Sequence, residues 1–429
     1  MFTRALRAKL VPACLGLGFA LAMAGAADAS AATLYVSNAA PIVAGGRSCA
    51  QPDYSSIQAA IESGPNAKIS VCPGTYTEQL TITGPVRLSA ASGPGTATVA
   101  MPAAPVLSTT SCDTLDGLEQ IDEVSICTSG TVSITGIDID AVVPLETCGY
   151  GFYGVFIGDG ATLTATDVDV DGASTSLNGY KGCQHGVAVS VGSKTPAEVG
   201  HATLRDVDVY GYEKNGPTAR GAGSTLTIAG STITGEGPTP YIAQNGIEVA
   251  YGAQGIVKST TVSGNECDYP GVCTPSDLEE QATGVLFYGA ATGSSVSSST
   301  LEENDIGAYY DSTSATQPAS PEVTFAKDVL TSNRYEGFVL EQGKALLSKD
   351  TVNGSGDIGI DLTQYEGQTL ASRSSAFRTK VEDQTVAAIK VESDNSAEDK
   401  PGSFDFTDGT FSGDATVLDN ESNDFEVVL

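Results

Sequence analysis

A short unit recurs along most of this chain and restricts its fold more than any other feature. Two apolar residues stand five positions apart, with small or polar residues between them: Ile134/Ile139, Ala165/Val170, Leu204/Val209, Ile228/Ile233 and Val257/Val262. The series continues with Val296/Leu301, Phe325/Leu330, Leu347/Val352 and Phe406/Phe411. Ala371/Phe377 reads as a tenth unit lengthened by one residue, as a bulge would make it. Successive units are 22 to 39 residues apart, the spacing expected of a solenoid whose fixed coil carries loops of different length. A five-residue offset fits two strands that meet at a tight bend, each turning one apolar residue inward.

A second unit lies upstream in most repeats: a glycine, then alternating apolar residues. Gly154-Val155-Phe156-Ile157, Gly246-Ile247-Glu248-Val249 and Gly337-Phe338-Val339-Leu340 are examples. Period-two alternation behind a glycine reads as a half-buried strand entered through a turn. Asn265, Asn304 and Asn333 each follow the second apolar residue of their unit by three positions. Consecutive coils therefore place asparagine at one corner, where tolerance of left-handed backbone and amide hydrogen bonding suit a stacked turn.

Residues 1–29 stand apart. Arg4, Arg7 and Lys9 precede an apolar run from Leu10 to Ala24, and Ala27-Asp28-Ala29 offers a small-residue cleavage site. The pattern is that of a secretory signal peptide cleaved near Ala29, too short in its apolar part for a membrane anchor. Beyond it remain eight cysteines, an even number that in an exported chain indicates disulfides. Many pairings are open; pairing sequence neighbours (Cys49–Cys72, Cys112–Cys127, Cys148–Cys183, Cys267–Cys273) closes four local loops. No C-x-x-C motif and only two histidines argue against structural zinc. The formal net charge is −31. Such a field repels nucleic acid and anionic lipid, which excludes both as partners.

The coil pattern and the asparagine corner resemble right-handed parallel β-helix proteins of the pectin-lyase-like superfamily. The stretch Tyr54-Ser55-Ser56-Ile57-Gln58-Ala59-Ala60-Ile61, followed by Ile69-Ser70-Val71-Cys72-Pro73-Gly74-Thr75-Tyr76-Thr77-Glu78, is similar to the opening of pectinesterases. The resemblance implies an all-β chain: a single three-sheet β-helix of about nine or ten coils over residues 30–429. A capping helix within 53–63, with Asp53 or Ser55 as its cap, would cover the first coil. Residues 382–429 would supply the last coils and a C-terminal cap.

Chemistry is sought on the outer faces of such a solenoid. Asp138, Asp169 and Asp208 occupy one place in three consecutive repeats, with Asp167, Asp171 and Asp206 close by. Clustered carboxylate oxygens suit Ca2+, and the resemblance implies an ion of that kind beside a basic residue that abstracts a proton from a uronate sugar. Arg205 and Lys181 are the basic candidates. His185, in Gln184-His185-Gly186, resembles the Gly-His-Gly of polygalacturonases, but the accompanying aspartate motifs are missing. Pectinesterase catalytic motifs and a Gly-x-Ser-x-Gly elbow are likewise missing. Tyr212, Lys214 and Arg220 are candidates for substrate contact. The resulting expectation is a secreted protein that binds, and in one version cleaves, an extracellular polysaccharide with Ca2+. Its rival is a non-catalytic cell-surface or adhesion protein attached to a cell-envelope component.

Overall fold

The computed structural model describes residues 32–109, 112, 114–115, 118–145, 147–175, 182–195, 198–268, 270, 273, 282–312, 322–364, 373–393 and 401–429. The expected signal peptide and Lys181 lie outside these residues.

Three sheets of 14, 12 and 13 strands run along the molecule, and the chain visits them in a fixed order. One coil takes one strand from each, as in Ala161–Thr166, Asp169–Thr175 and Gly186–Val191. Neighbouring coils pair in parallel throughout the three sheets, for example Val170 against both Ile139 and Val209. The result is a single parallel β-helix.

Its core follows from the five-residue unit. Ile139, Val170, Val209, Ile233 and Val262 lie directly over one another and are all buried. The first sheet adds a parallel column through Ile134, Ala165, Leu204, Ile228 and Val257. Burying each Val, Ile or Leu stabilises the fold by roughly 1.5–3 kcal/mol before ordering costs, and every coil contributes several. Here the solenoid obtains its stability.

Among the described residues there are twelve coils, as the twelve-stranded second sheet requires, against the nine or ten expected. The additional coils are N-terminal. Ile69 and Leu88 align with Ile134, while Tyr76 and Val99 align with Ile139. Extra residues at those corners break the five-residue spacing. The tenth unit also needs correction. Leu347 pairs with Ala376 and Val352 with Val381, so the unit is Ala376/Val381 with regular spacing, and Phe377 points out, 40% exposed.

The corner between the first and second sheets is a left-handed residue in coil after coil: Gly136, Asp167, Asp206, Gly230, Ser259 and Ser298, with φ between 50° and 67°. Each donates its N–H to a carbonyl of the next coil, such as Asp206 to Ala229 and Ser259 to Ser297. At the second corner the left-handed residues are Gly264, Glu303 and Ser332, each directly before an asparagine. The asparagines are therefore valued for their amides, and the backbone strain falls on their predecessors.

The strand-opening glycines also have a different cause from the turn expected of them. An added Cβ would lie 2.3 Å from a Val262 methyl at Gly246, 2.9 Å from the Asn304 amide at Gly284, and 2.4 Å from a Val352 methyl at Gly337. These glycines face inward, where the third sheet passes too close to the second for any side chain.

The capping helix is a single turn, Ile57–Ile61, with Ile57 and Ala60 buried. Its cap is Ser56 rather than Asp53 or Ser55: the Ser56 Oγ accepts from Ala59 N, and the Glu78 carboxylate accepts from Ile57 N and Gln58 N. Asp53 instead accepts from Tyr35 N at 2.9 Å. Disulfides join Cys49 to Cys72, Cys112 to Cys127, Cys148 to Cys183 and Cys267 to Cys273.

Candidate functional site

Strand alternation sends every second residue of the second sheet outward, and two outward columns result. One runs Asp138, Asp169, Asp208; the other runs Asp140, Asp171, Tyr210. Rungs in such a sheet are about 4.8 Å apart, so the carboxylates repel one another. Burial, then the Asp169 charge, holds the Asp138 carboxyl above the usual range; burial, then Asp208, does so for Asp169. Asp171 is raised by burial, Asp140 and Glu236. The Tyr210 ring, 40% exposed, stands among them, its hydroxyl raised by burial and by the charges of Asp171, Asp169, Asp138 and Asp208. Chemically this flank is a strip of hydrogen-bond acceptors that attracts cations.

Asp167 and Asp206 do not join it. They are the left-handed residues of the first corner, with φ of 52° and 50°. The six carboxylates expected to share Ca2+ thus divide among three columns. Among the described residues no group of three or more His, Cys, Asp or Glu side chains is arranged to hold a metal ion.

Arg205 ends a first-sheet strand, exposed, with the Asp206 corner between it and Asp208. His185 lies in the turn before Gly186, where its carbonyl accepts from Phe152 N; that places it on the third sheet, away from the aspartate columns. Tyr212 is fully buried at the second corner, and its hydroxyl donates to Asn265 Oδ1 at 2.6 Å. It has no face for a substrate. The Lys214 ammonium donates to the Ala243 carbonyl at 2.6 Å. Arg220 is held bidentately by Glu248, at 3.0 and 2.9 Å. Tyr212 thus packs in the core, Lys214 and Arg220 are engaged by Ala243 and Glu248, and the structure does not gather the three beside the aspartates.

Sequence reasoning missed the network around Glu248. Asn245 Nδ2 donates to Asn215 Oδ1 at 3.0 Å, and Asn215 Nδ2 donates to Glu248 Oε2. Its signal was an Asn-Gly pair, Asn215-Gly216 and Asn245-Gly246, in adjacent coils. It also missed an aromatic corner. Lys194 lies 4.1 Å above the Tyr251 ring, which meets Tyr288 edge-on at 5.5 Å. Tyr251 has φ of 55°, whereas the neighbouring rungs use Gly221 and Gly289. A cleft of about 630 Å³ lies elsewhere, between the capping helix and the first coil. Its amides, Gln58 and Gln79, are engaged with Thr81 and Val106, so it is a seam of the cap.

Stacked parallel coils, a side-chain ladder and one plugged end define a solenoid protein of the parallel β-helix class. The model of a family described as "Right handed beta helix region" matches residues 128–375, more than half of the chain, and the chain belongs to that family. In sequence, no curated protein matches it. Two similar solved structures are mutants of the periplasmic alginate epimerase AlgG. The double mutant aligns at TM-score 0.53 and 10% identity, covering 92% of this chain and 85% of that one. A single mutant gives 0.51 and 12%, covering 91% and 85%. At such identities the likeness is one of fold. Among the described residues no helix is long and apolar enough to cross a membrane.

Proposed function

We propose that this protein acts outside the cytoplasm and binds a polysaccharide along its second-sheet flank. The observation that carries the reading is the pair of outward columns, Asp138–Asp169–Asp208 and Asp140–Asp171–Tyr210. They repeat along the solenoid axis on the scale of one sugar unit, offering acceptors for hydroxyl or amino groups and one aromatic face. Four disulfides support an oxidising compartment, and the AlgG likeness supports a sugar polymer as ligand class. Charge refines it. An acidic strip repels a uronate polymer unless a cation bridges the two, so a neutral or amino-sugar chain fits better.

The test is affinity electrophoresis in gels containing chitosan, a neutral glucan, or alginate with and without Ca2+. Retardation by at least one polymer is expected, weakened in the double variant Asp169→Asn/Tyr210→Ala. Equal retardation of the variant, or none in any gel, overturns the proposal. Reducing-end and ultraviolet assays on the same mixtures report whether cleavage accompanies binding.

A further inference from the structure

The first corner changes character in the later coils. Its left-handed residues run from Gly136 to Ser298 without a cation, and then become Lys327, Lys349 and Arg378, with φ of 62°, 64° and 53°. Lys327 N donates to the Ser348 carbonyl and Lys349 N to the Phe377 carbonyl. Ala326, Ser348 and Phe377, one residue earlier on each strand, pair in register. Three exposed cations therefore stand on successive rungs, about 4.8 Å apart.

The coil does not require them there. Glycine, aspartate and serine make the same corner upstream, left-handed backbone is costly for lysine or arginine, and like charges one rung apart repel. The acids beneath are occupied otherwise. Asp328 is buried and accepts from Ser299 N and Ala326 N; Asp350 accepts from Asp328 N and Ser348 N. Among the described residues Lys327 and Lys349 form no ion pair, and Arg378 meets Asp408, on the rung beyond, at 4.0 Å. In a chain with 52 acidic and 21 basic residues, such a row is not a general solubility coat. Beside it Phe377 is 40% exposed, with the Arg378 guanidinium 4.8 Å from its ring centroid. A row of charges at the pitch of one sugar unit, next to a flat apolar ring, fits a sugar-acid chain.

We propose that the Lys327–Lys349–Arg378 ladder binds an acidic polysaccharide lengthwise, one carboxylate to a rung, with Phe377 against a sugar ring. The ladder is separate from the aspartate flank, whose charge disfavours such a polymer, and does not depend on that reading.

The test titrates fluorescein-labelled oligogalacturonate with the full chain in EDTA and follows anisotropy. Saturable binding is expected, weakening as salt rises, because exposed charges are screened within about 8 Å at physiological strength. The methyl-esterified oligomer should not compete. Lys327→Ser/Lys349→Ser/Arg378→Ser should weaken binding about tenfold or more. Serine already makes this corner at Ser259 and Ser298, so the coil is kept. Phe377→Ala should lose several-fold, whereas Arg87→Ser, an exposed first-sheet cation in an early coil, should change binding less than about twofold. Absent or non-saturable binding, competition by the ester, or an unchanged Kd in the triple variant or in Phe377→Ala overturns the proposal. So does an equal loss in Arg87→Ser, or oligothymidylate bound as tightly as oligogalacturonate.

Discussion

The side-chain oxygen of Asn304 accepts two hydrogen bonds from Asn265, one from its backbone N–H at 3.2 Å and one from Nδ2 at 2.8 Å. Asn333 does the same for Asn304, at 3.2 and 3.1 Å. All three are buried, so each rung satisfies the one before it. Asn304→Ala would strand donors of Asn265 without access to water. Leaving such groups unmade costs about 1–3 kcal/mol each, and a loss of about 3 kcal/mol is expected from guanidinium unfolding. The exposed Asn353→Ala should change stability by less than about 0.5 kcal/mol.

Two glycines separate steric from conformational constraint. Gly246→Ala would press a methyl to 2.3 Å from Val262 and 2.6 Å from the Gly284 carbonyl, and overpacking of that kind costs about 1–3 kcal/mol or more. Gly237 has φ of 74° with nothing within 4 Å of an added Cβ. Gly237→Ala should therefore cost only about 1 kcal/mol, the left-handed penalty alone. Thermal unfolding of both variants checks the order; a reversed order would refute the inward packing of the third sheet.

How much of this was legible beforehand depended on the length of the pattern. The interior column from Ile139 onward was readable because its spacing survives loop insertions elsewhere in each coil. Ile69/Tyr76 and Leu88/Val99 were hidden because the insertions fall inside the unit itself. Asp167 and Asp169 look alike in sequence, two positions apart, yet one makes a corner and the other faces solvent; only φ distinguishes them. Tyr212 was misjudged because an aromatic residue near acidic repeats reads equally as platform or core, and its partner, Asn265, lies 53 positions away.

Stability should rise as the pH falls from 8 towards 5. Burial, then the nearby Asp350 charge, pushes the Asp328 carboxyl up to about 7, and burial pushes Asp350 and Asp305 up to about 6. In the unfolded chain each titrates near 4. Their folded pKa values are raised, so their contribution is fully present below about pH 4 and lost as pH climbs through 6 to 7. The measurement is Tm against pH at constant ionic strength. Asp328→Asn should flatten the profile between pH 5 and 7; an unchanged slope would remove Asp328 as its source.

Arg220 decides between a structural and a substrate-binding role. Its side chain is 23% exposed and that of Glu248 only 8%, with the two joined at 2.9 Å. Removing one partner of a largely buried pair leaves the other charge uncompensated, at about 3–5 kcal/mol. Partial exposure reduces this, so Arg220→Ala should cost about 2–3 kcal/mol. Arg220→Lys keeps the charge but loses the two-pronged geometry, and should recover less than half. Replacing both partners with Met and Leu removes the buried charge but strands the Asn215 Nδ2 donor, so it should still cost about 1–3 kcal/mol. A substrate contact would behave in the opposite way. Arg220→Ala would then leave Tm unchanged and weaken polymer retardation, and that outcome would restore Arg220 to the binding surface.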